Sequence, residues 1–421
     1  MPVYDLIIVG GGAAGFFAAL TAAEASAKSR PRILILEKSQ RPLAKVRISG
    51  GGRCNLTHAC FDPAELVGYY PRGSKELRGP LTRFGPAEAL EWFDNHGVAT
   101  KAEPDGRMFP ASNRSQTVID CLLEQAHKQG IELRTRQGVS GLQVDPNGFR
   151  VQTPDGSLDA RQVLLAPGGG TQSAYQLAAR LGHTIVPPVP SLFTFNIRDP
   201  RLKDIPGVSV PTAALSLHPG AATEKPFTAH GPLLVTHWGL SGPAVLKLSA
   251  WAARALADSN YRAELRVNWQ AGQTSEAQLA VLQTARDDRP RQTIAKGDPD
   301  GRLPQRLWRA LVAGAGLESG QTWAQSSNAD LQRLAEQLTQ ASFQVHGKAV
   351  FKDEFVTCGG VNLKEVDFRT MQSRLIPGLY FAGEYLDIDA LTGGFNFQAA
   401  WTTGWVAGRA IAGQIAGTIK S

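Results

Sequence analysis

Residues 3–9 are an almost unbroken apolar, β-rich run, a cluster of glycines follows, and residues 13–27 then change to helix formers. Residues 33–36 are again uniformly apolar, which is the texture of a strand buried on both faces. The succession predicts a βαβ unit with parallel strands. Helical periodicity returns at 86–97 and 115–130. Residues 131–151 alternate in short strands broken by Gly138, Gly141 and Pro146-Asn147-Gly148, and 163–166 reads as another buried strand.

At 187–190 three prolines in four residues favour an extended linker over either regular element, so a domain boundary is expected there. Residues 193–269 run in short β-rich segments punctuated by Pro and Gly, as in a small barrel or sandwich. From 275 to 342 helix formers dominate, with an exposed Pro/Gly/Asp interruption expected at 297–301. After 356 the chain returns to strands and glycines and ends in a helix over 399–415, as if completing the first domain. The expected fold class is α/β: a discontinuous Rossmann-like domain (1–188 and 352–421), an inserted β-rich, barrel-like domain (189–270 and 343–351) and a nested helical insert (271–342). A length of 421 residues suits two or three domains.

Composition removes several classes. Hydrophobic residues make up 43% and charged residues 19%, without low-complexity tracts, which argues against disorder. The net charge of +7 would draw in an acidic partner such as a phosphate-rich cofactor or RNA, yet basic residues group only weakly, at 28–32 and 286–291. Residues 6–23 lack charge and reach the ~18-residue length of a membrane span. Five of them are Gly or Thr, and Asp5 stands where a signal peptide carries a basic flank, so a cytoplasmic protein without a membrane anchor is expected. Cys54, Cys60, Cys121 and Cys358 form no CxxC pair, and His58 has no second ligand pair at zinc spacing. Neither a disulfide framework nor a metal site is expected.

Gly10-Gly11-Gly12-Ala13-Ala14-Gly15 fits GxGxxG at the one place where the pattern has physical content, between a strand and a helix. Gly10 permits the tight turn, Gly12 lets a diphosphate approach bare main chain, and Gly15 allows the helix to pack closely on the strand. The helix start would then hold the anion, and Glu37, 22 residues beyond Gly15, would meet ribose hydroxyls. The motif alone does not separate FAD from NAD. No second copy occurs, which disfavours a separate NAD(P)H domain.

Two further glycine segments stand out. In Ser49-Gly50-Gly51-Gly52-Arg53-Cys54-Asn55, bare backbone would approach a flat or anionic group and Arg53 would pair with phosphate; an ordinary surface loop is the alternative. Cys54 lacks a resolving partner nearby, which favours a packed residue over a redox thiol. Later, 378–384 reads as a strand ending at Gly383-Glu384, and Gly393-Gly394-Phe395-Asn396 precedes the last helix, whose N-terminus would stabilise an anionic reduced flavin.

Together with Asp105-Gly106-Arg107-Met108-Phe109-Pro110, the stretch 236–244 around His237-Trp238, and Gly359-Gly360-Val361, these motifs resemble nearly end to end the bacterial BaiN/YhiN-type, or aminoacetone-oxidase-like, flavoproteins. The resemblance implies one FAD in a discontinuous domain carrying the two insertions. By it, Gly10, Gly12, Ala13, Ala14, Gly15 and Glu37 hold the ADP half, with Val139 on adenine through its backbone. The loop with Gly51, Gly52, Arg53, Cys54 and Asn55, together with Gly383 and Glu384, holds the middle of FAD. Gly393, Gly394, Phe395 and Asn396 hold the isoalloxazine, and Lys38, Arg47, Ala166 and Gly168 complete the set. Pro167 departs from the family's ATGG-like turn and removes a hydroxyl and a backbone donor, and the path to Ser173 is short.

His237 is the candidate proton donor, with a packed, hydrogen-bonded histidine as the alternative reading. Lys45, Arg47 and Arg53 would bind an anionic substrate or the cofactor phosphates. Three functions fit: an FAD-dependent oxidoreductase acting on a small molecule, with NADH or NADPH as a transient donor or an amine as the reductant; a flavin-dependent reductase of ribosomal RNA uridines; and a scaffold in which FAD is structural. Substrate, donor and oligomeric state stay open.

Overall fold

The computed structural model describes residues 3–170, 172–220, 225–349 and 356–418. The expected boundary between 351 and 352 lies outside them. The chain divides into two compact units, Met1–Pro190 with Val356–Ser421, and Ser191–Phe355.

Within the first unit nine described strands form one sheet. Tyr4–Val9 runs parallel between Ile33–Leu36 and Gly156–Leu165; Glu132–Arg134 extends the sheet on one side and Leu379–Phe381 on the other. Leu6, Ile7 and Ile8 are fully buried, each stabilising the fold by about 1.5–3 kcal/mol relative to exposure. Such a parallel sheet must be covered on its faces by helices. Helices Ala13–Ala25 and Phe395–Thr418 provide one cover and pack on each other through small residues. A Cβ at Gly404 would lie 2.6 Å from the Ala14 carbonyl oxygen, and one at Gly408 2.6 Å from that of Ala18. The last helix therefore reaches the first turn of the dinucleotide-type helix.

The prolines at 187–190 do not form a linker. They lie in strand Ile185–Ser191, which pairs with Val356–Val361 as a two-stranded sheet. The pairing is possible because Gly359 has no side chain: a Cβ there would stand 2.5 Å from the Pro187 carbonyl oxygen. Proline is tolerated on such an edge because its missing N–H faces away from the ladder.

In the second unit six described strands, Phe195–Ile197, Ser209–Pro219, Phe227–Thr236, Gly239–Ser241, Ala263–Asn268 and Ala341–Lys348, close into an antiparallel barrel. Alternate residues such as Leu215, Leu217, Leu265, Val267, Phe343 and Val345 fill its interior. Helices Ser275–Asp288, Gln305–Gly314 and Asn328–Thr339 form the insert around buried Trp308 and Trp323. The interruption at 297–301 is not simply exposed. Asp298 is 9% exposed and accepts from the N–H groups of Asp300, Arg302 and Leu303.

Among the described residues no helix is long and apolar enough to cross a membrane, and no group of three or more His, Cys, Asp or Glu could hold a metal ion. The four cysteines are buried.

Candidate functional site

The turn after the first strand is dictated by sterics. Gly10 has φ 114°, and a Cβ there would stand 2.3 Å from the Ala166 carbonyl oxygen; one on Gly15 would stand 2.1 Å from that of Gly10. Gly12 is different, because a Cβ on it would meet nothing within 4 Å. It caps helix Ala13–Ala25, which has no side-chain cap and no acidic residue in its first turn. The unspent N–H groups and the positive end of the helix dipole therefore border open space.

Glu37 closes this turn from the second strand. Its Oε2 accepts from Gly11 N–H at 2.8 Å and its Oε1 from Ser39 N–H at 2.7 Å. The acid expected at ribose hydroxyls thus also fixes the glycine turn. Gln137 N–H donates to the Glu37 carbonyl and Gly138 lies against the Lys38 side chain, which brings Val139 to the same end of the sheet.

The second glycine segment is an exposed, non-helical turn at the end of helix Ala44–Gly52. Ser49 is extended, and Gly50, Gly51 and Gly52 follow with φ of 56°, 67° and 83°. Three successive left-handed residues need glycine. Gly51 and Gly52 border open space as Gly12 does. Arg53 is committed to Glu103 at 2.6 Å and lies 4.0 Å over the Phe109 ring. Arg47 donates to Gln116 Oε1 at 2.5 Å, while its buried Nε has no hydrogen-bond partner.

Cys54 is fully buried with φ 62°, and burial pushes its thiol up to about 12, outweighing the opposing bond to Ser49. It should therefore resist iodoacetamide at pH 8 in the native protein and react only after denaturation. Peptide mass spectrometry of labelled samples would show this, and rapid native labelling would contradict it.

The C-terminal motifs close the ring. Gly383 N–H donates to Thr403 Oγ1 at 2.9 Å, and a Cβ on Gly383 would lie 2.8 Å from that of Ala14. Glu384 accepts from Thr357 N–H at 2.9 Å and from Lys45 Nζ at 2.5 Å. Gly169 packs on Thr357 and Glu384, whereas a Cβ on neighbouring Gly168 would meet nothing within 4 Å. Asn55 ties the last motif to the second: its amide oxygen accepts from Gly394 N–H at 3.0 Å and its nitrogen donates to Thr57 O at 3.1 Å. Asn396 bonds both the N–H and the carbonyl of Ala390 at 3.0 Å.

Phe395 stacks with Tyr69 at 4.2 Å and with His58 at 4.7 Å. Burial lowers the His58 pKa, against the backbone bond and charge of Asp105 that raise it. Nε2 of His58 lies 3.0 Å from the Asp105 carbonyl, so the neutral ring carries its proton there.

Except for His237, the candidate residues lie in this one unit, linked by the contacts above. His237 belongs to the other unit, on the exposed turn between Phe227–Thr236 and Gly239–Ser241, and is therefore not packed. Sequence reading missed Thr357 and Thr403, which fix Glu384 and Gly383, and Trp401, whose indole N–H donates to Leu56 O at 2.9 Å. For Thr403 and Trp401 the available signal is the run of small and polar residues in the last helix, which marks a face pressed against backbone.

Two curated relatives align almost end to end. One, "Ribosomal RNA dihydrouridine synthase" of Escherichia coli (strain K12), is 29% identical over 96% of this chain and 97% of its own. The other, "3-dehydro-bile acid delta(4,6)-reductase" of Clostridium scindens, is 28% identical over 96% and 98%. The fold is shared with a solved 3-ketosteroid delta1-dehydrogenase from Sterolibacterium denitrificans (TM-score 0.53, 12% identity, 98% of this chain and 100% of that one). It is shared also with a 3-ketosteroid-delta4-(5alpha)-dehydrogenase from Rhodococcus jostii RHA1 (TM-score 0.51, 15% identity, 97% and 96%). Residues 4–410 match the HI0933-like protein Rossmann domain, and the chain belongs to the HI0933-like family of FAD-dependent oxidoreductases.

Proposed function

We propose that this chain holds FAD in the glycine cradle and uses it to reduce a carbon–carbon double bond conjugated with a carbonyl group. The observation that carries the reading is an uncapped helix start at the carboxyl end of a parallel strand, tied to the other glycine motifs by Gly10 against Ala166, Leu43 N–H on Gly11 O and Gly383 against Ala14. That combination fits a long, flat cofactor with a central diphosphate. FAD, when bound, supplies hydride transfer from a donor such as NADH or NADPH to an acceptor. The start of Ala13–Ala25 would hold the diphosphate, and Glu37, with Lys38 and Val139 beside it, the adenosine end. Ala166 and Gly168 would border the same groove. Glu384, held by Lys45 and Thr357, would take the ribityl hydroxyls, while Gly393 to Asn396 and the segment from Arg47 to Asn55 would frame the ring.

The choice of acceptor rests on the chemistry shared by the two relatives' names. A dihydrouridine is a uridine reduced beside a ring carbonyl, and a delta(4,6)-reductase acting on a 3-dehydro compound removes double bonds conjugated with its ketone. A ribosomal RNA uridine is favoured as the acceptor by the net charge of +7, and a small enone is the second reading.

Anaerobic reduction of the purified protein with NADH and NADPH, followed by mixing with an enone and with unmodified ribosomal RNA, tests the proposal. Reoxidation by at least one acceptor, with formation of the saturated product, is expected; reoxidation by neither overturns it. His237 is proposed as the proton donor on the strength of its exposure. His237→Asn should retain bound flavin and slow product formation by about 10²–10⁴-fold. An unchanged rate would remove His237 from the reaction.

A further inference from the structure

The two weak basic groupings in the sequence do not belong to the cradle, and one of them becomes part of a built surface in the helical insert. Residues 289–309 contain six basic and two acidic side chains. The fold spends both acids internally. Asp298 is held by three backbone N–H groups of its own loop and by Gln270, and Asp300 lies 4.0 Å from Arg302. Arg306 is committed to the Asp204 carbonyl at 2.6 Å.

What remains is positioned by backbone contacts. The carbonyls of 294–296 are each tied down: Ile294 O accepts from Trp308 Nε1 at 2.7 Å, Ala295 O from Gln305 Nε2 at 3.0 Å, and Lys296 O from Gln305 Nε2 at 2.5 Å. Arg309 Nε donates to Ala295 O at 3.4 Å, which sets the guanidinium beside Lys296. Both cations line a cavity of about 350 Å³ together with the hydroxyl residues Thr293 and Ser319 and an apolar wall including Val312 and Leu317. No acidic side chain lines it, and Glu318, next to Ser319 in sequence, is not part of the wall. Outside the cavity, residues 289–292 form a turn, with Gln292 N–H donating to Arg289 O at 3.0 Å, and this turn is held against 321–324, with Trp323 N–H donating to Gln292 O at 2.9 Å and Ala324 N–H to Pro290 O at 3.0 Å. Arg289 and Arg291 are exposed along this segment.

We propose that the helical insert is an RNA-docking element, with one backbone phosphate seated between Lys296 and Arg309 and neighbouring phosphates met by Arg289 and Arg291. A guanidinium and an ammonium facing hydroxyl groups suit a phosphodiester. Exposed cations on the adjoining turn as well as in the cavity suit a ligand with more than one phosphate, which a mononucleotide lacks. This assignment rests on the RNA form of the proposed function.

The test uses the full chain with FAD bound. Binding of a fluorescent, uridine-containing ribosomal RNA hairpin is measured across a salt series for the wild type and for Lys296→Glu/Arg309→Glu. The double variant should bind about tenfold more weakly, and its slope of log affinity against log salt should fall by about 1, as for one lost phosphate contact. Lys296→Arg should retain binding, and flavin content and the rate of flavin reduction should not change. Equal RNA affinity in wild type and double variant, or no RNA binding by the wild type at low salt, overturns the inference. Competition by uridine monophosphate or inorganic phosphate as effective as by the hairpin would make the site a small-anion pocket and likewise overturn it. Turnover of an enone in the same preparations separates the two failures: enone reduction without RNA binding leaves the flavin chemistry standing, and RNA binding without any acceptor leaves only the docking surface.

Discussion

Gly12→Val is expected to yield a folded protein that is purified colourless. The two effects separate because a Cβ at this position meets no atom beyond its chain neighbours within 4 Å, so the substitution costs the apoprotein little. The added carbons would instead occupy the space next to the uncapped start of helix Ala13–Ala25, where the proposed diphosphate must come within hydrogen-bond distance of main-chain N–H groups. Losing two such charge-assisted bonds, at about 1.5–3 kcal/mol each, weakens FAD binding by roughly 10²–10⁴-fold. Flavin titration followed by fluorescence quenching measures the loss, and circular dichroism together with chemical denaturation establishes that the fold persists. Gly15→Val is the necessary contrast. Its Cβ would stand 2.1 Å from the Gly10 carbonyl oxygen, so this variant should lose stability along with the cofactor. If Gly12→Val remains yellow with unchanged affinity, the diphosphate does not sit on this helix start.

The same contrast explains what was legible in the chain before its structure. Strand, glycine turn and helix in 3–27 are local, and residues 3–9 and 33–36 carry the apolar signature of a doubly covered parallel sheet, so the Rossmann-type fold could be read directly. The short β-rich segments of 193–269, punctuated by Pro and Gly, likewise pointed to a small barrel or sandwich. The prolines at 187–190 concealed a strand because it depends on Gly359, more than 150 residues away, and no local rule reports that partner. Ser49 to Gly52 could be read as a glycine loop, but not the helix that leads into it from Ala44. Asp298 looked exposed because its three backbone donors come from a loop whose closure depends on packing. Thr403 is marked only by the run of small and polar residues around it, which does not say what it bonds. It carries Gly383 only because the last helix lies against the first, which Gly404 and Gly408 permit.

Arg72→Met should destabilise the first unit by about 3–5 kcal/mol, although Arg72 belongs to no recognised motif. Its guanidinium makes a two-pronged ion pair with Asp389, a carboxylate with no exposed surface, so the substitution withdraws a positive charge from a buried negative one. The pair also fixes the turn before the last helix. Backbone groups of Arg72 and Asp389 bridge, a Cβ on Gly73 would stand 2.5 Å from Ile388 Cγ1, and Leu391 N–H donates to Tyr69 O at 2.9 Å. Ala390, next to Asp389, holds the Asn396 amide at the proposed ring end of the cradle. Stability lost at Arg72 should therefore appear also as a faster release of flavin. The double variant Arg72→Met/Asp389→Leu separates charge from shape: replacing both members by apolar side chains removes the buried charge and should recover most of the stability. Denaturation monitored by tryptophan fluorescence, with flavin release followed in parallel, completes the cycle. A single variant within about 1 kcal/mol of the wild type would mean that other groups around Asp389 carry its charge without the guanidinium.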